Sequence, residues 1–339
     1  MMGPLTTLGV GGAAKFFCAV TSEKELMEGL AMAAFRGEPH FVLGGGSNLL
    51  ADDAGYEGFV LHMLMKGVEV SRDGDVAVYD AAAGEDWDTL VERAVTDGCA
   101  GVECLAGIPG TVGATPVQNV GAYGQEVAET IRSVRVYDTE ERRYRELTAA
   151  ECGFGYRTSI FNTSARGRYI VTRVRYGLRP GGAPRIAYAD LKKRFVDGVK
   201  PSVVEVARAV REIRKAKGML LVEGDADCRS AGSFFKNPVV ETAVVERVAA
   251  AAGVADADVP RYDVGEGRVK LPAAWLVERA GFAKGFAMGR AGISTKHTLA
   301  LVNRGGATAA EIRALRDAIQ AGVKGKFGVV MEQEPVSLG

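Results

Sequence analysis

Between residues 106 and 126 the chain reads "AGIPGTVGATPVQNVGAYGQE", and no other stretch restricts its fold so severely. Gly107, Gly110, Gly113, Gly121 and Gly124, with Pro109 and Pro116, break any regular helix, while the residues between them are too apolar for a floppy linker. Such a run fixes an extended backbone with little side-chain bulk. It can line a flat or elongated ligand with peptide N–H groups, and Gln118 and Asn119 add side-chain donors and acceptors. A purely structural loop is the alternative. Glycine supplies 44 of the 339 residues, nearly twice the usual share of about 7%, and the excess lies in short loops between apolar segments.

A second glycine turn, "LGGGSNLL" at 43–50, follows an apolar strand. Three glycines let backbone amides approach a ligand closely and form a nest for phosphate oxygens, to which Ser47 and Asn48 could add donors. The order G-x-G-x-x-G is absent, and no lysine follows the last glycine, so neither a Rossmann fingerprint nor a P-loop is present. A simple tight turn remains open.

Three further stretches could carry chemistry. In "FGYRTSIF", Arg157 sits among apolar and aromatic residues, where a guanidinium is costly unless it meets an anion or a carboxylate; a structural ion pair would serve as well. In "SAGSFFKNP", Ser233 lies between a glycine and two phenylalanines, the pattern of a hydroxyl held at the wall of an apolar pocket, although most serines are caps or turn residues. In "VVMEQEPV", Glu332 and Glu334 share one face of an expected strand with Val330, and a solvated edge is the alternative.

The rest of the chain narrows the function by exclusion. Lys+Arg and Asp+Glu both number 42, so no basic excess points to nucleic acid. No apolar run reaches about 18 residues and no secretory pattern opens the chain, so a cytoplasmic protein without a membrane partner is expected. Cys18, Cys99, Cys104, Cys152 and Cys228 are scattered and read as reduced thiols. With only His40, His62 and His297, a zinc site or a Ser-His-Asp triad is poorly supported. Ser22 with Glu25 and Thr308 with Glu311 are spaced as capping boxes opening helices. Val203, Val206, Val210 and Ile213 mark one face of another helix, with Arg211, Arg214, Lys215 and Lys217 near its C-terminal end. Strands crowd the first half and helices the second, which predicts an α+β fold. "RPGGAP" at 179–184 is the clearest composition break, so domains are expected over 1–182, with an internal split near 60–70, and over 183–339.

Taken in order, the five stretches resemble the UDP-N-acetylenolpyruvoylglucosamine reductase (MurB) family of flavoenzymes over almost the whole chain. The resemblance implies an FAD-binding region of the vanillyl-alcohol-oxidase type followed by a MurB-type substrate-binding domain, whose last strand returns to the active site. It implies non-covalent FAD held by Gly44, Gly45, Gly46, Ser47, Asn48 and Leu49 from the first turn. From the second stretch it adds Pro109, Gly110, Thr111, Gly113, Ala114, Gln118, Asn119, Gly121, Ala122, Tyr123 and Gly124, and from the later helix Arg214. NADPH is the implied reductant, and the implied substrate is UDP-N-acetylglucosamine-enolpyruvate, reduced to UDP-N-acetylmuramate for peptidoglycan by hydride from the flavin N5. By the same resemblance Arg157 and Glu334 stabilise an enolate, Ser233 donates the proton, and Tyr188, Lys217 and Asn237 contact the nucleotide sugar. A monomer is expected. The chain departs from the family where "GMLLVEGDADCR" follows Lys217, where Ser230 replaces an asparagine, where Pro335 follows Glu334, and where His297 replaces an amide. A flavin oxidase is disfavoured because no histidine stands in the glycine stretches to anchor the flavin covalently; a binding protein without chemistry is the other alternative.

Overall fold

The computed structural model describes residues 1–195 and 200–339. Two hydrophobic cores correspond to two compact units. One, here the glycine-loop unit, comprises Ala14–Gly46 and Glu57–Ala216; the other, the serine unit, comprises Met1–Ala13, Ser47–Tyr56 and Lys217–Gly339. The division after Ala216 differs from the break expected near residue 182. The reason is that the strand Tyr169–Pro180 and the helix Val203–Ala216 share one core, in which Val174, Tyr176, Leu178, Val206 and Val210 are all buried. "RPGGAP" is therefore a turn off a strand end, with the Gly182 N–H donating to the Arg179 carbonyl at 3.1 Å.

In the glycine-loop unit an antiparallel sheet runs in the order Arg143–Thr148, Ile131–Asp138, Tyr169–Pro180, Val76–Ala82, Val68–Asp73. Val134, Val136 and Val174 point into the core, and each such side chain stabilises the fold by roughly 1.5–3 kcal/mol. A smaller sheet holds Ala14–Val20, Tyr56–Met63 and His40–Leu43, the last two parallel. The helix Glu23–Arg36 starts where the Ser22 hydroxyl accepts from the Glu25 N–H at 3.2 Å. The Glu25 carboxylate accepts from the Thr21 N–H at 2.6 Å, so the expected capping box is shifted by one residue. The helix Val203–Ala216 buries the predicted valines and also Arg214.

In the serine unit an antiparallel sheet runs Ser230–Ser233, Ala300–Asn303, Ala291–Ile293, Ala287–Met288. The helix Ala309–Phe327 buries Ile312, Leu315, Ile319, Val323 and Phe327 and opens with the complete Thr308/Glu311 box that the sequence predicts. Asp53 adds a second cap from far away in the chain, its carboxylate accepting from the N–H groups of Ala309 at 2.7 Å and Ala310 at 2.9 Å. Among the described residues no helix is long and apolar enough to cross a membrane, and no cluster of side chains could hold a metal. The α+β class expected from the sequence is the class observed.

Candidate active site

In the glycine-loop unit the two glycine stretches approach each other closely at Gly44 and Gly45. A Cβ on Gly44 would lie 2.7 Å from the Thr111 hydroxyl oxygen, and one on Gly45 would lie 2.8 Å from the Gly110 Cα. A Cβ on Gly113 would lie 2.5 Å from that of Ala83. Side chains at Gly44 and Gly45 would push the two loops apart, so glycine is required for that approach, and at Gly113 for the approach to Ala83. The long stretch is gripped at its start: the Gly107 N–H donates to Asp88 at 2.6 Å, and its carbonyl accepts from the buried Arg214 Nε at 3.1 Å. Burial pushes the Arg214 guanidinium below its usual pKa, and Tyr123 and Asp88 oppose that shift. At its far end Gly121–Ala122 pairs with Gln125–Glu126. Tyr123 and Gly124 form the turn at φ 49° and 84°, the two left-handed positions of a type I′ hairpin. This turn sets the Tyr123 ring edge-on to Tyr188, 5.3 Å between centroids, with Tyr188 half exposed.

Arg157 stands on a second tight turn in the same unit. The N–H of Gly155 donates to Thr158 at 3.0 Å, with Tyr156 and Arg157 as the loop, and Arg157 has φ 55°. For a long side chain that conformation costs about 1–2 kcal/mol. Asn119, at φ 47°, and Tyr123 share it, so three of the five non-glycine residues with positive φ among the described residues gather in this region. The Arg157 guanidinium donates to the carbonyls of Gly121 at 2.6 Å and Asn119 at 3.4 Å and lies 5.3 Å from the Tyr156 ring centre. The Asn119 side chain is buried and spends both amide hydrogens internally, on Glu126 at 2.8 Å and on the Gly155 carbonyl at 3.0 Å. Its backbone is engaged as well, the N–H donating to the Pro116 carbonyl at 3.4 Å.

The serine unit presents Ser233 differently. Ser230–Ser233 pairs with Ala300–Asn303 through a shifted register, and Gly232, at φ 74°, occupies the irregularity. A bulge of this kind turns the next side chain out of the strand's alternation. Phe234 and Phe235, expected to line a pocket beside Ser233, are instead core residues that pack edge-to-face at 5.5 Å. Their backbone makes the contact with the segment that carries Glu334. The Glu334 N–H donates to the Phe234 carbonyl at 2.9 Å, and the Lys236 N–H donates to the Glu332 carbonyl at 3.0 Å. The strand expected through "FGVVMEQEPV" forms only as a bridge of Gln333 with Phe235, and regular pairing starts at Val336–Leu338 beside Leu49–Ala51. Pro335 lacks an N–H, and the chain changes partner there: the Val336 N–H donates to the Asn48 carbonyl at 2.9 Å. The Asn48 amide also donates to the Glu334 carbonyl at 3.4 Å, so this residue of the first glycine turn steadies the Glu334 backbone. Glu332 forms an exposed pair with Lys236 at 3.4 Å, while Glu334 is half-buried.

Ser47, Asn48 and Leu49 belong to the serine unit and Gly44–Gly46 to the glycine-loop unit, so the expected nest is divided at this point of the chain. Asn237 accepts from the Ala273 N–H at 2.8 Å and thereby caps the helix Ala273–Arg279. Lys217 opens the serine unit just past the end of Val203–Ala216. The unusual segment after it is pinned: Lys296 pairs with Asp225 at 2.5 Å, Thr295 donates its N–H to Asp227 at 3.0 Å, and the Cys228 thiol donates to the Leu220 carbonyl at 2.9 Å. His297 accepts the Leu299 N–H at Nδ1, 3.1 Å, which puts the hydrogen of a neutral ring on Nε2. Sequence reasoning missed Asn162, Glu126 and Asp88. For Asn162 the signal was present as a capping spacing, Ser159 followed three residues later by an amide.

Residues 14–145 match the family model of an FAD binding domain, and residues 224–338 match that of the UDP-N-acetylenolpyruvoylglucosamine reductase C-terminal domain. The chain is 47% identical to the UDP-N-acetylenolpyruvoylglucosamine reductase of Thermobifida fusca, an alignment covering 98% of this chain and 95% of that protein. It is 43% identical to the reductase of the same name from Streptomyces coelicolor, over 100% of this chain and 89% of the relative. The crystal structure of UDP-N-acetylenolpyruvylglucosamine reductase from Thermus caldophilus aligns with a TM-score of 0.67 at 26% identity, covering 100% of this chain and 97% of that one. With relatives 47% and 43% identical over 98% and 100% of its length, the chain belongs to the UDP-N-acetylenolpyruvoylglucosamine reductase family.

Proposed function

We propose that this protein reduces the enolpyruvyl ether of UDP-N-acetylglucosamine-enolpyruvate to UDP-N-acetylmuramate, drawing electrons from NADPH, as a step of peptidoglycan synthesis. FAD, when bound, supplies the two-electron carrier between NADPH and the substrate's double bond. The residues present fit it: Gly44 and Gly45 lie against Gly110 and Thr111 with no room for a methyl group at the approach. A diphosphate needs peptide N–H groups at that kind of contact distance. We assign the holding of FAD to these loops, with Arg214 acting on the loop through the Gly107 carbonyl.

Addition of hydride to the methylene carbon makes a methyl group and leaves an electron pair on the neighbouring carbon, delocalised into its carboxylate. Arg157 stabilises that charge, because a guanidinium stays protonated and can bind a carboxylate through two parallel N–H bonds. Ser233 gives its hydroxyl proton to the carbanionic carbon, and Glu334 orients the hydroxyl and polarises the developing enol. A serine is a very weak acid in water, so this transfer depends on close positioning. The observation that carries the reading is the main-chain pairing of Glu334 with Phe234, next to Ser233. We further propose that Tyr188 and Lys217 contact the nucleotide sugar, that Asn237 supports them from its capping position, and that the protein works as a cytoplasmic monomer.

The test is direct. Purified protein is expected to be yellow, to bleach with NADPH, and to recover its flavin absorbance on addition of enolpyruvyl-UDP-N-acetylglucosamine. Flavin-loaded protein that bleaches with NADPH but does not recover with this substrate overturns the proposal, and steady peroxide release in place of substrate reduction would make it an oxidase.

A further inference from the structure

We infer that Asn119 and Asn162 are positioning residues for Arg157, an inference that rests on the catalytic reading of Arg157 above. A guanidinium on a two-residue turn has several rotatable bonds and, here, a backbone conformation that arginine disfavours, so its direction needs outside support. Asn119 and Asn162 provide it from opposite flanks. Asn119 donates one amide hydrogen to the Gly155 carbonyl at 3.0 Å, at the entry of the turn, and offers its own carbonyl to the Arg157 Nη1 at 3.4 Å. Its second amide hydrogen goes to Glu126 at 2.8 Å, and its side-chain oxygen accepts the Ala128 N–H at 3.1 Å. These bonds tie the turn to the hairpin whose Gly121 carbonyl receives the guanidinium at 2.6 Å. Asn162 donates to the Arg157 carbonyl itself at 3.2 Å, and its oxygen accepts from the Ser159 N–H at 2.9 Å. The Ser159 hydroxyl donates to the Val117 carbonyl at 2.6 Å, a second tether to the glycine stretch. A side chain that only filled space would not need all of its hydrogen-bonding capacity directed at one turn and its receiving loop.

The experiment uses the flavin-loaded full chain in stopped flow, following flavin reduction by NADPH and flavin re-oxidation by the enolpyruvyl substrate separately. Asn119→Gly tolerates the left-handed backbone and keeps the carbonyl while removing the tether; Asn162→Ala removes the other flank. Each variant is expected to slow re-oxidation at least ~10-fold, as misplacement of a reacting group does. In Asn162→Ala, reduction by NADPH, the bound-flavin spectrum and the affinity of the apoprotein for FAD are expected to stay within about twofold. Combining either substitution with Arg157→Ala should add no further loss of re-oxidation, because the tethers act through the arginine. Equal slowing of both half-reactions, or a full additional loss on the Arg157→Ala background, overturns the inference. If Arg157→Ala by itself leaves re-oxidation unchanged, the catalytic reading of Arg157 has failed, and that result is distinct from additivity. Should Asn119→Gly not fold, as judged by its melting curve, Asn162→Ala completes the same cycle.

Discussion

The glycine-loop unit and the serine unit orient Arg157 and Ser233, the groups we propose for the reaction, by different means. In the former, side chains do it: Arg157 sits in a left-handed turn held by Asn119 and Asn162, with its guanidinium docked on the Gly121 carbonyl. In the latter, main chain does it: a bulge at Gly232 turns Ser233 and a backbone hydrogen bond from Glu334 to Phe234 brings the last segment alongside. Main-chain hydrogen bonds survive most substitutions, whereas an amide tether is lost with one change. The lesson is that the arginine should be sensitive to its neighbours and the serine largely insensitive to them.

The largest expected effect removes the arginine. Arg157→Ala should slow flavin re-oxidation by substrate by ~10³-fold, the order seen when a donor to a developing anion is lost. Arg157→Lys should recover only part of this, and full recovery would show that a point charge suffices. Ser233→Ala comes next, with re-oxidation slower by at least ~10² and NADPH-driven reduction nearly intact; equal loss in both steps would make Ser233 structural. The comparison itself is tested by two neighbours. In Gly121→Ala the new Cβ would lie 2.7 Å from Glu126 Cγ and 3.1 Å from Arg157 Nη1, so re-oxidation should fall ~10-fold. Phe235→Leu, in a side chain that only packs the serine-unit core, should cost about 1 kcal/mol of stability and leave both half-reactions within twofold. If Phe235→Leu slows catalysis as much as Gly121→Ala, the contrast between the units is wrong.

The smallest effect concerns acid stability, where the units should behave alike. In the glycine-loop unit, hydrogen bonds from Arg168, with the Glu140 and Glu141 N–H groups, hold Asp138 at a pKa of about 2. In the serine unit the Thr308 N–H and Arg290 hold Glu311 at about 2. A carboxyl depressed in the folded state contributes stability above its unfolded pKa of about 4, and that contribution disappears as pH falls toward 2. The urea midpoint should therefore drop between pH 4 and pH 2, less steeply in Asp138→Asn and in Glu311→Gln; parallel curves for variant and parent would remove the assignment.

Much of the site could be read from residues alone, because its parts depend on local rules. Glycines crowded beside apolar strands announced backbone contacts, and the Thr308/Glu311 spacing announced a helix start that the fold contains. What escaped the sequence depends on distant partners. The division after Ala216 arises because residues 1–13 and 47–56 pack with the later chain, and no local pattern marks that Asp53 will cap a helix beginning at Ala309. Phe234 and Phe235 looked like pocket walls because burial in a core and burial beside a ligand favour the same side chains. Asn119 looked like a ligand donor because an amide's composition does not reveal that both of its hydrogens are already engaged.

The parallel pairing of Leu49–Ala51 with Val336–Leu338 has a consequence for biosynthesis. At about 5–20 residues per second, the stretch from Lys217 onward leaves the ribosome over roughly 6–25 s. Throughout that interval the Leu49–Ala51 segment has Leu8, Val10 and Gly11 beside it but no strand partner, while the glycine-loop unit has already received every residue it needs. The serine unit is thus the one that closes last, and until it does the nascent polypeptide carries an unpaired strand edge.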